Sequence, residues 1–201
     1  MMSHSAVATE YSLPFKLNVQ QTQLTEEQFV RLCQENPDLQ IELTAQGELV
    51  IIPPTGLETG QRNGKLTHFL VAWALADGTG IACDSSTLFT LPNSAKRSPD
   101  ASWVRRERWD ALPAKERTGF GLLCPDFVVE LRSPTDRLAD LQEKMQEYLA
   151  NGARLGWLID PLEKRVSIYC PGQPVEVLDD PPALSGDPVL PGFVLPVREL
   201  W

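Results

Sequence analysis

The segment from residue 127 to residue 160 constrains the fold of this chain more than any other. Phe127–Leu131 is a nearly continuous apolar run, which is typical of a strand covered on both faces. Ser133 and Pro134 then have the pattern of a helix N-cap and first helical residue, and an apolar helical stripe follows. A second apolar run occupies residues 156–160. Strand, helix and strand at this spacing predict a crossover between two parallel strands.

Shorter elements are predicted before this unit, because 17 prolines interrupt the chain. Thr25 and Gln28 have the spacing of a capping box at a helix start, and apolar residues recur with helical periodicity over 57–76. Helices and strands in this order predict an α/β (α+β) fold, with a mixed β-sheet flanked by helices. The other predicted elements are a hairpin of Gln40–Leu43 with Glu48–Ile52, strands in 81–91 and 100–104, a mobile polar turn at 92–99 and a weak helix within 105–121.

The length of 201 residues predicts one compact domain. We expect a polar leader at 1–23, the main domain at 24–174, and a proline-rich tail at 175–201 that wraps the surface of the same domain. The net charge of −9 argues against a large nonspecific affinity for nucleic acid, although local basic patches stay open. The chain lacks a run of about 18 apolar residues and a secretion signal, so we expect no membrane span and a cytoplasmic protein.

Cysteine and histidine usage excludes two kinds of metal site. The four cysteines lie roughly forty to fifty residues apart, without the close spacing of zinc ligands. They are predicted to be buried, reduced thiols, as in a cytoplasmic protein. Only His4 and His68 are present, so a histidine-rich metal site is excluded.

Glu130 is hard to explain as scaffold, because its carboxylate lies inside the apolar run Phe127–Leu131. An ionised group in that place needs a charged partner or a metal. Strand alternation puts Glu130 on the same face as Asp126. If the strand that opens at Asp100 lies beside it, two carboxylates converge at one edge of the sheet. Two carboxylates with water and phosphate oxygens are a common way to hold Mg²⁺.

The helix after this strand carries two more polar candidates. Lys144 lies to one side of the apolar stripe, where it could orient a metal-bound water or, if burial lowers its pKa, accept a proton. Gln142, on the opposite flank, could bond a water or a phosphate oxygen. The plainer alternatives are a turn residue at Asp100, a buried ion pair of Glu130 with Arg132 or Lys144, and a solvated Lys144 paired with Asp140.

Four segments carry a combined pattern: SPDASWV at 98–104, PDFVVELRSP at 125–134, KMQEY at 144–148 and GARLGWLIDP at 152–161. From about Leu24 to Pro174 the chain resembles the Uma-type putative restriction endonuclease family of the PD-(D/E)XK nuclease superfamily. The resemblance implies a restriction-endonuclease-like core of helix, three strands, helix and strand. It also implies a metal-binding aspartate at Asp100, a metal-binding glutamate at Glu130 and a helical lysine at Lys144.

One position departs from the superfamily pattern. The usual signature has lysine two residues after the strand glutamate, where this chain has Arg132. Arginine can bind phosphate but stays protonated, so it cannot act as a base, and the family lysine is expected at Lys144 instead. Glu58 is a further candidate, since the first helix of such nucleases often supplies an acid. Thr55 with Glu58 fits a capping box equally well.

Together with the family resemblance, these residues predict a Mg²⁺- or Mn²⁺-dependent endonuclease that hydrolyses DNA. Asp100 and Glu130 would hold the metal, the main-chain carbonyl of Leu131 would complete the ligand set, and Lys144 would position the attacking water. Cleavage of both strands would fit a homodimer. Two other functions stay open, a noncatalytic protein of this fold that binds a partner and a hydrolase of a smaller phosphate ester. A basic groove at Glu130 would favour DNA, whereas a closed narrow pocket would favour the small ester.

Overall fold

The computed structural model describes residues 14–22 and 24–201 of the chain. The predicted leader lies mostly outside these residues, and so does His4. The described part of the leader includes the strand Phe15–Asn18, which pairs with the predicted hairpin. Across the described ranges, the α-helices are α1 (Glu26–Glu35), α2 (Leu57–Asp77), α3 (Arg106–Ala111), α4 (Ala114–Arg117) and α5 (Leu138–Ala150).

The strands fall into three sheets. The small sheet has the order β1-β3-β2-β6-β5, with β1 (Phe15–Asn18), β2 (Gln40–Leu43), β3 (Glu48–Ile52), β5 (Phe89–Thr90) and β6 (Lys96–Arg97). The large sheet has the order β11-β10-β9-β8-β7-β4, with β4 (Gly80–Asp84), β7 (Ala101–Arg105), β8 (Phe127–Leu131), β9 (Leu155–Asp160), β10 (Arg165–Tyr169) and β11 (Glu176–Asp179). The third sheet pairs β12 (Leu184–Ser185) with β13 (Val194–Leu195).

The predicted crossover is confirmed in the large sheet. Strands β8 and β9 are parallel, with Phe127 opposite Leu155 and Leu131 opposite Ile159, and α5 connects them. The other strand pairs of this sheet are antiparallel, so the sheet is mixed, as predicted. The fold is therefore a mixed α+β fold with helices flanking the sheets.

Each face of the large sheet is covered by a different layer. On one face, α2 and the C-terminal segment pack against Trp103, Phe127 and Trp157. On the other face, α5 contributes Met145 and Tyr148. A separate small core lies between α1 and the small sheet. The cavity described below lies where the free face of the small sheet meets the start of α2 and α5.

Helix α1 follows its sequence prediction closely. Thr25 is its N-cap, and Thr25 and Gln28 form the reciprocal bonds of a capping box. Helix α5 differs, because it begins at Leu138 with Arg137 as N-cap, so the predicted cap at Ser133 is wrong. The Ser133 N–H donates to the Asp136 side chain instead and closes a turn, so the helix begins only at Leu138.

Two further predictions about loops are wrong. The predicted polar turn at 92–99 contains β6, which pairs with β2 and β5. The tail does not wrap the surface, because Leu190, Phe193 and Leu200 are fully or almost fully buried in the core beside α2. The four cysteines are free, with Cys124 buried and the others partly buried. Within residues 14–22 and 24–201, no helix is long and apolar enough to cross a membrane.

Candidate active site

Asp100 and Glu130 come together at one edge of the large sheet. Strands β7 and β8 are antiparallel with Ala101 opposite Val129, and extending this register by one residue sets Asp100 opposite Glu130. Opposite residues of antiparallel strands present neighbouring side chains on the same face. Asp100 Oδ2 also accepts the main-chain N–H of Leu131 at 2.7 Å, which fixes the carboxylate beside β8. The convergence that alternation predicted is therefore present.

Lys144 reaches this pair from α5. Its Nζ lies 2.9 Å from Glu130 Oε1 and 2.8 Å from Glu42 Oε1, and it also donates to the carbonyl of Ser98 at 3.3 Å. The lysine is buried, so the alternative of a solvated Lys144 paired with Asp140 is wrong. Asp140 pairs instead with Lys16 of β1, at 2.8 Å. The buried ion pair between Glu130 and Lys144, the other alternative, is present.

A buried charge network surrounds these three residues, and sequence reasoning missed most of it. Arg97 Nη1 lies 3.1 Å from Glu42 Oε2, and Arg97 Nε lies 2.5 Å from Glu147 Oε2. The Tyr148 hydroxyl donates to Glu130 Oε1 at 3.1 Å. Among the residues that the structure describes, the network contains four acids and two bases, so acids outnumber bases. The acids are Asp100, Glu42, Glu130 and Glu147, and the bases are Lys144 and Arg97.

Burial makes the carboxylates of this site costly to ionise. Burial raises the pKa of Glu130 to about 8, and the nearby charges of Asp100 and Glu42 add to the rise, while Lys144 opposes it. Burial also raises the pKa of Asp100, although hydrogen bonds from Leu131 and Asn63 partly offset it. For Glu42, burial alone would raise the pKa, but Lys144 and Arg97 outweigh it and lower the pKa. Glu130 and Asp100 therefore lack full charge compensation.

The same network sets the protonation of Lys144. Burial alone would lower its pKa, but the carboxylates of Glu130 and Glu42 outweigh burial and raise the pKa above its ordinary value. Lys144 is therefore an ammonium at neutral pH. The condition under which it could accept a proton from water is not met. Its three N–H groups already face the Glu130, Glu42 and Ser98 oxygens, so it could donate to a water only in place of one of these contacts.

A cavity of about 840 Å³ contains Asp100, Glu130 and Lys144 in its wall. In the part of the chain that the structure describes, this cavity is not the basic groove that would favour DNA, because acidic side chains outnumber basic ones in its lining. The acids are Glu42, Glu48, Glu58, Asp100, Glu130, Asp136, Asp140, Glu143 and Glu147, and the bases are Lys16, Arg97, Arg137 and Lys144.

Three other residues considered for the site do not lie beside Glu130. Arg132 is bound to Asp160 at 2.6 Å and does not line the cavity. Gln142 is exposed on α5, also outside the lining. Asp126 accepts the N–H of Arg105 at the far end of β8.

Glu58 lies at the rim of the cavity. Its side chain is 84% exposed and lies 3.5 Å from Arg62, which is the expected pair one helical turn away. The alternative capping box of Thr55 with Glu58 is wrong, because Gly56 is the N-cap of α2 and no side chain caps this helix.

The site fits a hard divalent cation with few protein ligands. Among the residues that the structure describes, no group of three or more His, Cys, Asp or Glu side chains could hold a metal ion. Mg²⁺ commonly binds through only one or two carboxylates and keeps several waters. Asp100 and Glu130, buried and incompletely neutralised, match that requirement. The Leu131 carbonyl lies on the same side of β8 as its N–H, which bonds Asp100.

A family model, Uma2, described as "Putative restriction endonuclease", matches residues 26–198. The chain belongs to the Uma2 family. A solved structure, described as a "putative nuclease belonging to DUF820 from Anabaena variabilis", is similar in fold to this Uma2 protein. It has a TM-score of 0.67 and 24% sequence identity, and the match covers 80% of this chain and 88% of that chain. No curated protein matches the chain. The predicted family and the restriction-endonuclease-like fold are confirmed, and family membership supports a nuclease.

Proposed function

We propose that this Uma2 protein is a Mg²⁺- or Mn²⁺-dependent endonuclease that hydrolyses DNA phosphodiester bonds. One observation carries the proposal: Asp100 and Glu130 lie opposite each other in the wall of a cavity, and Lys144 contacts Glu130 there. Burying two carboxylates with raised pKa values costs folding free energy. Binding a cation would give these carboxylates a function and offset part of that cost.

Each residue has a distinct part in the proposed reaction. Asp100 and Glu130 would hold the cation, together with the Leu131 carbonyl and water. A bound divalent cation would polarise the phosphate and stabilise the leaving oxygen. When the cation takes Glu130 as a ligand, Lys144 would release its contact with that carboxylate and donate the freed N–H to the attacking water, while its contact with Glu42 would keep the ammonium in place.

The acidic lining limits how DNA would bind. Phosphates gain little from a wall in which acids outnumber bases, so cations must offset much of the repulsion. We expect DNA binding to need a divalent cation and to show a shallow dependence on monovalent salt, because few phosphates are neutralised by Lys or Arg. Filter binding of a duplex in Ca²⁺ at several salt concentrations measures both.

The direct test is cleavage of supercoiled and linear DNA by purified protein. We expect nicking or cutting with Mg²⁺ or Mn²⁺, none with EDTA, and loss of activity in Asp100→Asn and Glu130→Gln. Glu163→Gln is a matched control, because Glu163 is exposed in the turn after β9 and does not line the cavity. Inactivity with every metal and substrate, in a folded protein, would favour the noncatalytic partner-binding function instead.

The acidic lining favours one alternative substrate, a smaller phosphate ester with fewer negative charges than DNA. Hydrolysis of bis(p-nitrophenyl) phosphate without cleavage of any DNA would select it. Cleavage of both strands would fit two active sites related by a twofold axis, so we also propose a homodimer on duplex DNA. Sedimentation velocity with and without duplex measures the number of chains bound.

A further inference from the structure

Asn63 lies beside the proposed metal site, and the sequence patterns gave no reason to single it out. Helix α2 places its Nδ2 2.9 Å from Asp100 Oδ1. Asp100 must be an ionised carboxylate to hold a cation, and an ionised carboxylate only accepts hydrogen bonds, so the amide nitrogen then faces Asp100 and the amide oxygen points elsewhere. The orientation of the Asn63 side chain is therefore fixed by chemistry.

That oxygen has no partner. Asn63 Oδ1 is buried without a hydrogen bond, although an amide oxygen can accept two. The other buried side-chain atoms without partners in the described part of the chain belong to Ser102, Trp103, Arg132 and Trp157, and none of those residues lines the cavity. Asn63 does line it. An unsatisfied buried acceptor is costly unless a water, ion or ligand binds it.

We propose that Asn63 Oδ1 is an acceptor in the coordination shell of the divalent cation held by Asp100 and Glu130. This inference rests on the proposed metal-dependent function. Asn63 would be a positioning residue with two tasks, since its Nδ2 orients Asp100 and its Oδ1 accepts a hydrogen bond from a water bound to the cation. Amide oxygens are suitable partners for hard cations and for the waters bound to them. The groups that orient metal ligands typically set affinity by about 10–100-fold.

Two substitutions separate these tasks. Asn63→Leu removes both the donor to Asp100 and the acceptor oxygen. Asn63→Asp also removes the donor but keeps acceptor oxygens and adds a negative charge. If Asn63 acts only by holding Asp100, both variants weaken the site alike. If its oxygen faces the cation, Asn63→Asp retains binding while Asn63→Leu loses it.

Mn²⁺ binding to the full chain tests this without relying on catalysis. Titration calorimetry and the electron paramagnetic resonance of free Mn²⁺ give affinity and stoichiometry, and circular dichroism verifies folding of each variant. Gln61→Leu is the matched control, because Gln61 is an exposed amide on the same helix outside the cavity. We expect Asn63→Leu to bind Mn²⁺ about 10–100-fold more weakly, and both Asn63→Asp and Gln61→Leu to bind at least as tightly as wild type.

The two possible failures are distinguishable. If wild type binds no Mn²⁺, the proposed metal-dependent function and this inference are both wrong. If wild type binds Mn²⁺ and the Leu and Asp variants weaken binding equally, the metal site stands but the acceptor role of Asn63 is wrong. Unchanged affinity in Asn63→Leu would overturn the inference in the same way.

Discussion

The two faces of strand β8 are equally buried, but their side chains have different kinds of contact. Phe127, Val129 and Leu131 point toward α2 and the C-terminal segment, into a core of apolar side chains. Val128 and Glu130 point toward α5, where Glu130 meets Lys144 and Tyr148. Burial alone therefore does not distinguish scaffold from site. The two faces differ in whether their buried groups would be more stable with a bound cation or in another protonation state.

The side chains on the α2 face of β8 are already in stabilising aromatic contacts. Phe127 packs edge-on against Trp157 with ring centroids 4.8 Å apart, and Trp157 stacks on Phe193 at 5.9 Å. The α5 face keeps carboxylates with raised pKa values and an excess of acids. Natural proteins retain such costs mainly where function requires them. Substitutions on the two faces should therefore move stability in opposite directions.

The largest effect is expected on the α2 face. Phe127→Ala removes a fully buried aromatic ring that packs edge-on against both Trp157 and Phe193, and we expect it to lower the free energy of unfolding by about 3–5 kcal/mol. Urea denaturation measures the change. Leu75→Ala is the control, because Leu75 is 81% exposed and should change stability little. A loss below about 1 kcal/mol for Phe127→Ala would mean that this face is not the stabilising core.

The next effect concerns catalysis on the α5 face. Lys144→Ala should reduce DNA cleavage by at least about 100-fold, because the water loses its orienting donor. Mn²⁺ affinity should not fall, since the variant removes a positive charge beside Glu130 and not a ligand of the ion. Single-turnover cleavage and Mn²⁺ titration measure the two quantities. Lys115→Met is the control, because Lys115 is an exposed lysine on α4. Unchanged cleavage in Lys144→Ala would remove Lys144 from the mechanism.

Local periodicity predicted the parts of the fold that depend on one segment. The apolar run of β8, the stripe of α5 and the run of β9 were sufficient for the parallel crossover. The start of α5 was missed because Ser133 and Asp136 bond each other and close a turn before the helix. Burial of the tail was missed because its apolar residues, interrupted by prolines, show neither period.

The site divides in the same way. The convergence of Asp100 and Glu130 followed from strand alternation once β7 was assumed to lie beside β8. Glu42 and Arg97 could not be found, because their contact with Lys144 and Glu147 depends on the pairing of β2 with β6, which places Leu43 opposite Lys96. Alternating glutamates are ordinary in a hairpin, so Glu42 carried no signal in the sequence.

A smaller effect on stability should have the opposite sign to that of Phe127→Ala. Glu130→Gln keeps the shape of the side chain and removes its charge, while Lys144 retains Glu42 as a partner. In metal-free buffer we expect the variant to be more stable than wild type, by on the order of 1 kcal/mol at about pH 8. Thermal melts measured from about pH 5 to pH 9 give the difference.

The pH dependence of that difference has a definite sign. The pKa of Glu130 rises from its ordinary value of 4.5 to about 8 on folding, so between these values the unfolded chain has released a proton that the folded chain keeps. The stability contributed by Glu130 therefore falls as pH rises through this window and is level above it. The advantage of Glu130→Gln should grow over the same window and be lost when Mn²⁺ stabilises only wild type. A melting temperature lowered by several degrees would instead make Glu130 a structural ion-pair partner.

The smallest effect is expected at Glu58, at the rim of the cavity. Glu58 is five residues before Asn63 on α2, which at 3.6 residues per turn puts the two side chains about 140° apart around the helix axis. Its carboxylate is largely exposed and meets Arg62. Glu58→Gln should therefore change the free energy of unfolding by only about 0.2–0.5 kcal/mol, the value of an i,i+4 pair. Mn²⁺ affinity should be unchanged, because the face toward Asp100 belongs to Asn63. If titration instead shows weaker Mn²⁺ binding in Glu58→Gln with an unaltered melt, the metal site extends to the rim, and the boundary between stabilising and functional residues on α2 lies nearer its first turn.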